Sequence, residues 1–482
     1  MAETIIQEVE VNLKAIEQEI YRRHCKAACE EMAMWLEYID KALAENRDKE
    51  QLRHKGGRAT TMKTLMGEVR YSRVIYEVVD DSGEKKFIYL LDEALGFDTI
   101  GLFSSNFAEK VADEATATSY KNAAKHVSEM TGQTISHGGA WKLIQKLGER
   151  AEEIEKKEKE LYEAEKPTGT REVNVLFEEA DGVIIKMQGE DRKAGKNQEM
   201  KVAIFYEGWK KEARKRYRLY NKRVVCGGFE HIADFGKRTE AKIASIYDLK
   251  KIKRRLFNSD GADGLREMNE ADVIKQLDAF HVRQAIVRVT RDEDIRKNLS
   301  SLYIKGETKQ LLKNIDAYAN SMEDEKAEEK LRKLYSYFNK NEDDLLPYKS
   351  RGLDIPEPPE GLEYRSMGAC EHNVYLVASQ RMKRRCALWS KKGATNMGKV
   401  LALKISGKLG EVLTEVTKVQ LPEGMTKDVV TAISSGKVPM REGKGYEGKT
   451  SSRPFAGASR TNGRRAIDGM FDLKSLSSAA YM

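Results

Sequence analysis

The sequence is poor in cysteine, in proline and in long apolar runs. Five cysteines are scattered over 482 residues, and this odd number favours reduced thiols in a cytosol over a disulfide framework. No stretch approaches the roughly 18 consecutive apolar residues that a membrane-spanning helix needs. The acidic N-terminus also lacks the basic and then apolar regions of a secretory signal. These absences predict a cytoplasmic protein that contacts no membrane.

Charge is plentiful but nearly balanced. Charged residues make up 34% of the chain, yet the formal net charge is only +8 although 85 residues are Lys or Arg. This surplus does not by itself identify an anionic partner, so the places where basic residues cluster carry more information. The chain is also too long for one ordinary core, which predicts several folded units.

A small basic sheet is predicted near the N-terminus. Residues 54–76 alternate apolar and basic side chains, a pattern that is typical of strands with one exposed face. Arg58, Arg70 and Arg73 are basic positions of these strands, and tyrosines lie among them. Such a face suits nucleic acid, and an ordinary solvated sheet face is the alternative.

A helix-turn-helix is predicted next. A helix over residues 121–130 ends at Thr131-Gly132, and a second helix follows a Thr or Ser cap. Polar residues at the start of this second helix would meet base edges, and a lysine would meet phosphate. These residues are Gln133, Ser136, His137 and Lys142. An ordinary helical hairpin is the alternative.

A mixed sheet covered by helices is predicted in the middle of the chain. Residues 173–177 indicate a buried strand, 182–187 its hairpin partner, and 200–206 a third strand. Two further strands, 255–258 and 273–277, alternate with helices. The fold class is therefore mixed α/β.

Acidic residues stand where strand ends are expected. Asp181 and Asp260 each precede a glycine after an apolar run. Asp-Gly at such a place is commonly a turn, because Asp bonds its own backbone and Gly adopts positive φ. Two such residues in one sheet favour a shared site over two separate turns, because neighbouring strands bring their ends together. Glu371 opens an apolar helix, where the helix dipole is an alternative reason for an acidic residue.

Three converging carboxylates indicate metal-ion chemistry. They would repel one another without a cation, whereas one or two Mg²⁺ (or Mn²⁺) ions would make them oxygen ligands. A pair of such ions can activate an attacking oxygen and stabilise the leaving oxygen in phosphoryl transfer.

At this point the residues resemble those of a known family. The segments that carry the resemblance are 179–182, 259–265, 277–281 and 370–389. Over nearly its whole length the chain resembles the ISLre-type insertion-sequence transposases of bacteria, distant relatives of the Mutator-like group. The Mutator-like segment Asp-Gly-x-x-Gly-Leu matches Asp260 rather than Asp263 as the second acid.

Two further features of the Mutator-like order are present. A Cys-or-Asp-x-x-His element is matched by Asp278 and His281, and a long helical insertion before the catalytic Glu fits residues 291–360. The resemblance implies a ribonuclease-H-like core in which Asp181, Asp260 and Glu371 hold two metal ions. It places Asp278 and His281 behind these ligands or against DNA, with a helix-start or core position as the alternative for His281.

The resemblance also implies the reaction and the partners. A DDE transposase cuts DNA at the terminal inverted repeats of its own element, and the freed 3′-hydroxyl then attacks target DNA. Arg381 and Arg384 would hold the scissile phosphates, and Trp389 would stack on a displaced base, with a core position as its alternative. Because two DNA ends must be held at once, a homo-oligomer in the bacterial cytoplasm, at the nucleoid, is expected.

Six segments summarise the organisation expected from the sequence. They are N-terminal helices and a small basic sheet in 1–100, the helix-turn-helix DNA-binding region in 101–166, the first part of the ribonuclease-H-like core in 167–290, the helical insertion in 291–360, the second part of the core in 361–425, and a disordered tail in 426–482. Two other functions fit the same residues: a ribonuclease-H-like nuclease without strand transfer, and a non-catalytic helix-turn-helix regulator.

Overall fold

The computed structural model describes residues 12–79, 83–97, 101–261, 273–416, 421 and 423–436. Asp263 and the tail from residue 437 onward lie outside these described residues. The architecture is mixed α/β, as the sequence predicts. Its strands are β1 Arg53–Lys63, β2 Glu68–Val79, β3 Lys85–Ile88, β4 Val175–Lys186, β5 Asn197–Tyr206, β6 Trp209–Ala213, β7 Arg216–Leu219, β8 Arg223–Gly228, β9 Arg254–Ser259, β10 Val273–Leu277 and β11 Leu362–Glu363.

Helices surround and connect these strands. They are α1 Leu13–Asn46, α2 Leu90–Ala94, α3 Ser105–Ala117, α4 Tyr120–Thr131, α5 His137–Glu163, α6 Gly189–Ala194, α7 Ile232–Ala244, α8 Ala279–Val289, α9 Glu293–Lys305, α10 Thr308–Ser321, α11 Glu325–Lys340, α12 Cys370–Val374, α13 Lys391–Ile405, α14 Leu409–Val416 and α15 Glu423–Ser434. A π-helical segment, Tyr375–Lys383, continues α12. No helix in the described part of the chain is long and apolar enough to cross a membrane.

The central sheet has five strands in the order β10-β9-β4-β5-β8. The pairs β4–β5 and β5–β8 are antiparallel, whereas β9 pairs with the other side of β4 in parallel and β10 pairs with β9 in parallel. β8 also runs parallel to β9, and the connection between these two strands, which contains α7, crosses over the sheet. The strand register puts the carboxyl ends of β9 and β10 level with the middle of β4.

The predicted turn at Asp181-Gly182 is wrong. One continuous strand, β4, runs through both residues, and Gly182 pairs with Lys201 of β5. The hairpin partner of the strand is β5 and not residues 182–187. β4 continues because β5 supplies hydrogen-bond partners along its length, a long-range effect that an Asp-Gly pair does not reveal.

Helices cover both faces of the sheet. One face shares a large apolar core with α3, α4, α5 and α13, which includes Leu143 and Val400. The other face packs against α7 through Phe235 and Ile243. The predicted helix-turn-helix segment therefore shares a core with the central sheet. Its two helices, α4 and α5, meet at Gly132, which has φ +66°, and Ser136 caps the longer second helix.

Small residues bring α13 close to the sheet and to α5. A Cβ on Gly398 would lie 2.5 Å from the Sγ of Cys226 in β8, and one on Gly148 of α5 would lie 2.4 Å from the Cβ of Asn396. Residues 393–398, which include two glycines, therefore lie inside α13. Glycine here permits close helix packing rather than a turn.

Two smaller cores flank the sheet. α8 to α11 pack around Leu299, Leu311 and Phe338, with Leu277 of β10 reaching in from the sheet. α9 to α11 lie within residues 291–360, where the sequence predicts the helical insertion. At the N-terminus, α1 packs on the β1–β3 sheet, and Val429 of α15 joins this core. Residues 423–434, within and just before the segment expected to be disordered, therefore form a helix.

Candidate functional site

Strand register aligns three aspartates at one edge of the parallel part of the sheet. Glu179 of β4 pairs with Asn258 of β9, and Asn258 pairs in turn with Gln276 of β10. Two residues further along each of these three chain segments stand Asp181, Asp260 and Asp278. The sequence grouped the first two as catalytic acids, and the register brings Asp278 level with them.

The charges of Asp260 and Asp278 affect the pKa of Asp181. The pKa of Asp181 is raised to about 6, chiefly by burial and in addition by the nearby charges of Asp260 and Asp278. The backbone N–H of Gly182, 2.8 Å from Oδ1 of Asp181, and the ring of His281 act in the opposite direction. Negative charge is therefore concentrated at this edge, as a cation site requires.

The acidic side chains that the structure describes at this edge are not arranged as a complete set of metal ligands. Within the described part of the chain, no three or more His, Cys, Asp or Glu side chains are arranged to hold a metal ion. Carboxylate oxygens are nevertheless the donors that Mg²⁺ prefers, so the donor chemistry at this edge fits the ion. Glu371 lies on the first turn of α12, and its side chain is exposed.

A buried glutamate connects this edge to the helix that carries Glu371. Glu179 is fully buried, and the backbone N–H groups of Gly368, Ala369 and Cys370 each donate to its carboxylate at 3.1 Å. The hydroxyl of Tyr206 donates at 2.5 Å and the amide of Asn258 at 3.1 Å. Glu179 thus holds the start of α12 against β4, two residues from Asp181.

Sequence reasoning missed this role of Glu179. An acidic residue two positions before Asp181 lies on the same face of a strand, because side chains alternate with a period of two. The sequence therefore showed that Glu179 shares a face of the strand with Asp181. Its five hydrogen-bond donors come from distant parts of the chain, so the sequence did not show which groups bind it.

Asp278 is already engaged inside the protein. Its Oδ1 accepts from the backbone N–H of Phe280 at 2.7 Å, which caps α8, and its Oδ2 accepts from the amide of Asn258 at 2.9 Å. Gln276 donates to the same Asn258 at 2.9 Å. Both carboxylate oxygens of Asp278 therefore accept hydrogen bonds from within the protein. His281 is half-buried in the first turn of α8.

The basic and aromatic residues after Glu371 have different surroundings. Arg381 donates to the backbone oxygen of Ala115 at 2.8 Å, and its guanidinium lies over the rings of Tyr120 and Trp389. Trp389 is buried, and its indole N–H donates to Met382. Both residues therefore pack α12 and its continuation onto the core, and for Trp389 this is the alternative left open above. Arg384 is exposed.

The predicted DNA-binding residues fall into exposed and engaged groups. Arg58, Arg70, His137 and Lys142 are exposed. Arg73 is not, because it forms an ion pair with Asp92 and covers the ring of Tyr89.

The other two predicted contacts at the start of α5 are held by the protein. Ser136 uses its hydroxyl to cap α5, and Gln133 lies beside the β1–β2 turn at Gly67. Lys63 of β1 donates to the backbone oxygen of Thr134. The basic sheet and the start of α5 are therefore neighbours on the surface.

Comparison with known proteins gives a family match and a relative. The model of the family described as "Uncharacterised protein family (UPF0236)" matches residues 7–418. A protein of Streptococcus gallolyticus, "UPF0236 protein in vanSb 3′region", is 28% identical over 399 residues, which cover 80% of this chain and 81% of the relative. The family match includes the central sheet, the inserted helices and α12.

Proposed function

The chain belongs to the uncharacterised protein family UPF0236, and we propose that it is a DDE transposase. In this proposal it cuts DNA at the terminal inverted repeats of its element and joins the freed 3′-hydroxyl to target DNA. The observation that carries the proposal is the alignment of Asp181 with Asp260, together with the buried Glu179 that fixes the Glu371 helix beside them.

The sheet order supports a ribonuclease-H-like core. Three antiparallel strands in chain order, followed by two parallel strands on the far side of the first, form the mixed sheet that such a core requires. The inserted helices α9 to α11 fall between β10 and α12, where the resemblance predicts a helical insertion before the catalytic Glu. This order along the chain supports the assignment of Asp181, Asp260 and Glu371 as the three metal-binding acids.

Each of these residues has a distinct task in the proposed mechanism. Two Mg²⁺ or Mn²⁺ ions, when bound, supply an activated water and stabilise the leaving oxygen. Asp181 and Asp260 would hold them from the sheet, and Glu371 from α12. Asp181, whose pKa is raised to about 6, must lose its proton before it can serve as a ligand. Arg384 would contact the scissile phosphate, and His281 would lie beside the DNA.

Cleavage at the element ends tests the catalytic assignment. We expect Mg²⁺-dependent nicking of a duplex that carries the inverted repeat flanking the gene, and we expect Asp260→Ala to abolish it. Asp263→Ala is the matched control, since the neighbouring acid is predicted to be dispensable. Equal nicking by wild-type protein and Asp260→Ala would contradict the assignment, and loss only in Asp263→Ala would move the second acid to that residue.

The proposal also includes a homo-oligomer, because a transposase holds two DNA ends together. Sedimentation of the protein with end DNA should show a complex with at least two copies of the chain. A monomer on saturating end DNA would contradict this part.

A further inference from the structure

The β6–β7 hairpin concentrates positive charge more than any element used above. Residues 209–223 contain eight Lys or Arg and one acidic residue, a net charge of +7, whereas the whole chain has +8. Its exposed basic residues lie on both strands and on the turn between them. They are Lys210, Lys211, Arg214, Lys215, Arg216 and Arg218.

These charges are poorly compensated within the protein. Glu212 pairs with Arg216 at 3.2 Å and with Arg218 at 3.3 Å. Among the described residues, no acidic group forms an ion pair with the remaining four exposed basic side chains. Lys210 also lies directly opposite Arg218 in the strand register, and like charges in such a pair destabilise a sheet. A partner that supplies negative charge would relieve this repulsion.

The root of the hairpin is fixed in the core. Trp209 is buried and packs against the rings of Phe177, at 5.1 Å, and Tyr206, at 5.0 Å. β11 pairs with β6 only at Trp209 and Lys210, so the rest of the hairpin extends beyond the end of β11. The hairpin is therefore a rigidly rooted, basic projection rather than a loose charged loop.

Three contacts link the root of this projection to Glu179 and to α12 of the candidate site. Tyr206, against which Trp209 packs, donates to Glu179. Lys222, just after β7, donates to Oδ1 of Asn373 at 2.9 Å, and Asn373 follows Glu371 by two residues in α12. Arg365, between β11 and α12, covers the ring of Tyr217 at 3.7 Å and adds another cation.

We propose that the β6–β7 hairpin binds the phosphate backbone of double-stranded DNA next to the candidate active site. Closely spaced phosphates match a row of exposed, uncompensated Lys and Arg side chains, and a two-stranded ribbon has the dimensions to lie along or within a major groove. The inference rests on the proposed function, since it assigns a DNA-holding surface to that site. The hairpin contacts are independent of base sequence, because they are made to phosphates.

Equilibrium binding tests the hairpin separately from catalysis. The quadruple variant Lys210→Gln, Lys211→Gln, Arg214→Gln and Lys215→Gln removes four exposed charges and disrupts no described ion pair. The matched control replaces Lys309, Lys313, Lys326 and Lys330, four exposed lysines of α10 and α11, with Gln. Both variants have the same net charge, and their thermal unfolding should match that of the wild type.

Affinity for a short DNA duplex of arbitrary sequence is measured with EDTA at several salt concentrations. We expect the hairpin variant to bind at least about tenfold more weakly. The slope of its log affinity against log salt should be shallower by up to about 3.6, because each of the four lost phosphate contacts removes about 0.9 from the slope. The control variant should retain most of the wild-type affinity and slope.

The outcomes separate this inference from the proposed function. If the wild type nicks repeat DNA but both variants bind the duplex equally well, the hairpin inference is overturned and the proposed function stands. If the hairpin variant loses affinity but the wild type never nicks DNA, the hairpin inference stands and the proposed function fails. A wild type that does not bind the duplex overturns the hairpin inference, whereas the proposed function is decided by the nicking of repeat DNA.

Discussion

A single buried carboxylate, that of Glu179, joins the sheet to the helix that carries Glu371. It accepts hydrogen bonds from Tyr206 of β5, Asn258 of β9 and three backbone N–H groups at the start of α12. Burying a carboxylate without such donors would cost free energy, so the five hydrogen bonds stabilise Glu179 in its buried position. Glu179 touches no substrate in this account, and we assign it a positioning role for Glu371.

Replacing Glu179 with Gln should raise the Mg²⁺ concentration that nicking requires. The amide NH₂ of Gln would face backbone N–H donors, so the start of α12 would shift and carry Glu371 with it. We expect the Mg²⁺ concentration for half-maximal nicking to rise about 10- to 100-fold, as when groups that orient metal ligands are removed.

Glu178→Gln is the control for this experiment. Glu178 is equally buried but pairs with Arg255 on the opposite face of β4. Both variants should unfold at lower temperature, but only Glu179→Gln should shift the Mg²⁺ dependence. Equal shifts in the two variants would show that general destabilisation explains the effect.

At the scale of elements, close approach and buried charge set which helices pack where. α5 and α13 touch because Gly148 leaves room for Asn396, and α1 is tied to β2 because Asp40 accepts from the backbone N–H of Val74 at 2.9 Å. The first contact relies on the absence of a side chain, the second on a buried carboxylate. Each makes a separate prediction.

Gly148→Ala should destabilise the α5–α13 packing. The new Cβ would lie 2.4 Å from the Cβ and 2.5 Å from the Cα of Asn396, where backbone must move. We expect a loss of about 1–3 kcal/mol in unfolding free energy. Gly138→Ala, in the first turn of the same helix, meets only the Oγ of Ser136 at 3.8 Å, and should be neutral or stabilising by up to about 1 kcal/mol. Urea unfolding of both variants measures the difference, and equal stabilities would refute the close packing.

Asp40 should make stability depend on pH. Burial raises its pKa from 3.8 to about 6, although Val74 and Arg73 lower it. Between these two values the folded state holds more protons than the unfolded state, so its stability falls as pH rises through this window. Asp40→Asn removes this loss.

The difference in unfolding free energy between Asp40→Asn and the wild type should therefore grow, in favour of the variant, by roughly 2–3 kcal/mol from pH 4 to pH 7. Urea unfolding of both proteins across this range measures it. If this difference in unfolding free energy stays constant with pH, the pKa of Asp40 is the same in the folded and unfolded states. Asp92 and Glu37, which also face Asp40, are unchanged in both proteins.

Local features of the fold could be predicted from the sequence, whereas long-range ones could not. Ser136 and Gly132 mark helix boundaries through their own backbone chemistry, so the start of α5 and the end of α4 were visible. The continuation of β4 through Asp181 depends on β5, and the role of Glu179 depends on residues 368–370, 189 to 191 positions away. For the same reason Asp181 and Asp260 could be chosen as acids but not aligned by register.

At the scale of the whole molecule, the site lies where three parts of the chain meet. The parallel strands supply Asp181 and Asp260, α12 supplies Glu371, and the inserted helices contact the same edge through Tyr337, whose hydroxyl donates to the backbone oxygen of Asp260 at 2.6 Å. The basic hairpin stands beside α12.

Strand transfer is the measurement that tests the central claim most directly. A duplex ending in the 3′-hydroxyl of the inverted repeat is incubated with a second DNA, Mg²⁺ or Mn²⁺, and either wild-type protein or Asp181→Asn. We predict a covalently joined product with the wild type and none with the variant. Metal-dependent nicking without joining would indicate a nuclease, and joining of equal yield by Asp181→Asn would contradict the proposed active site.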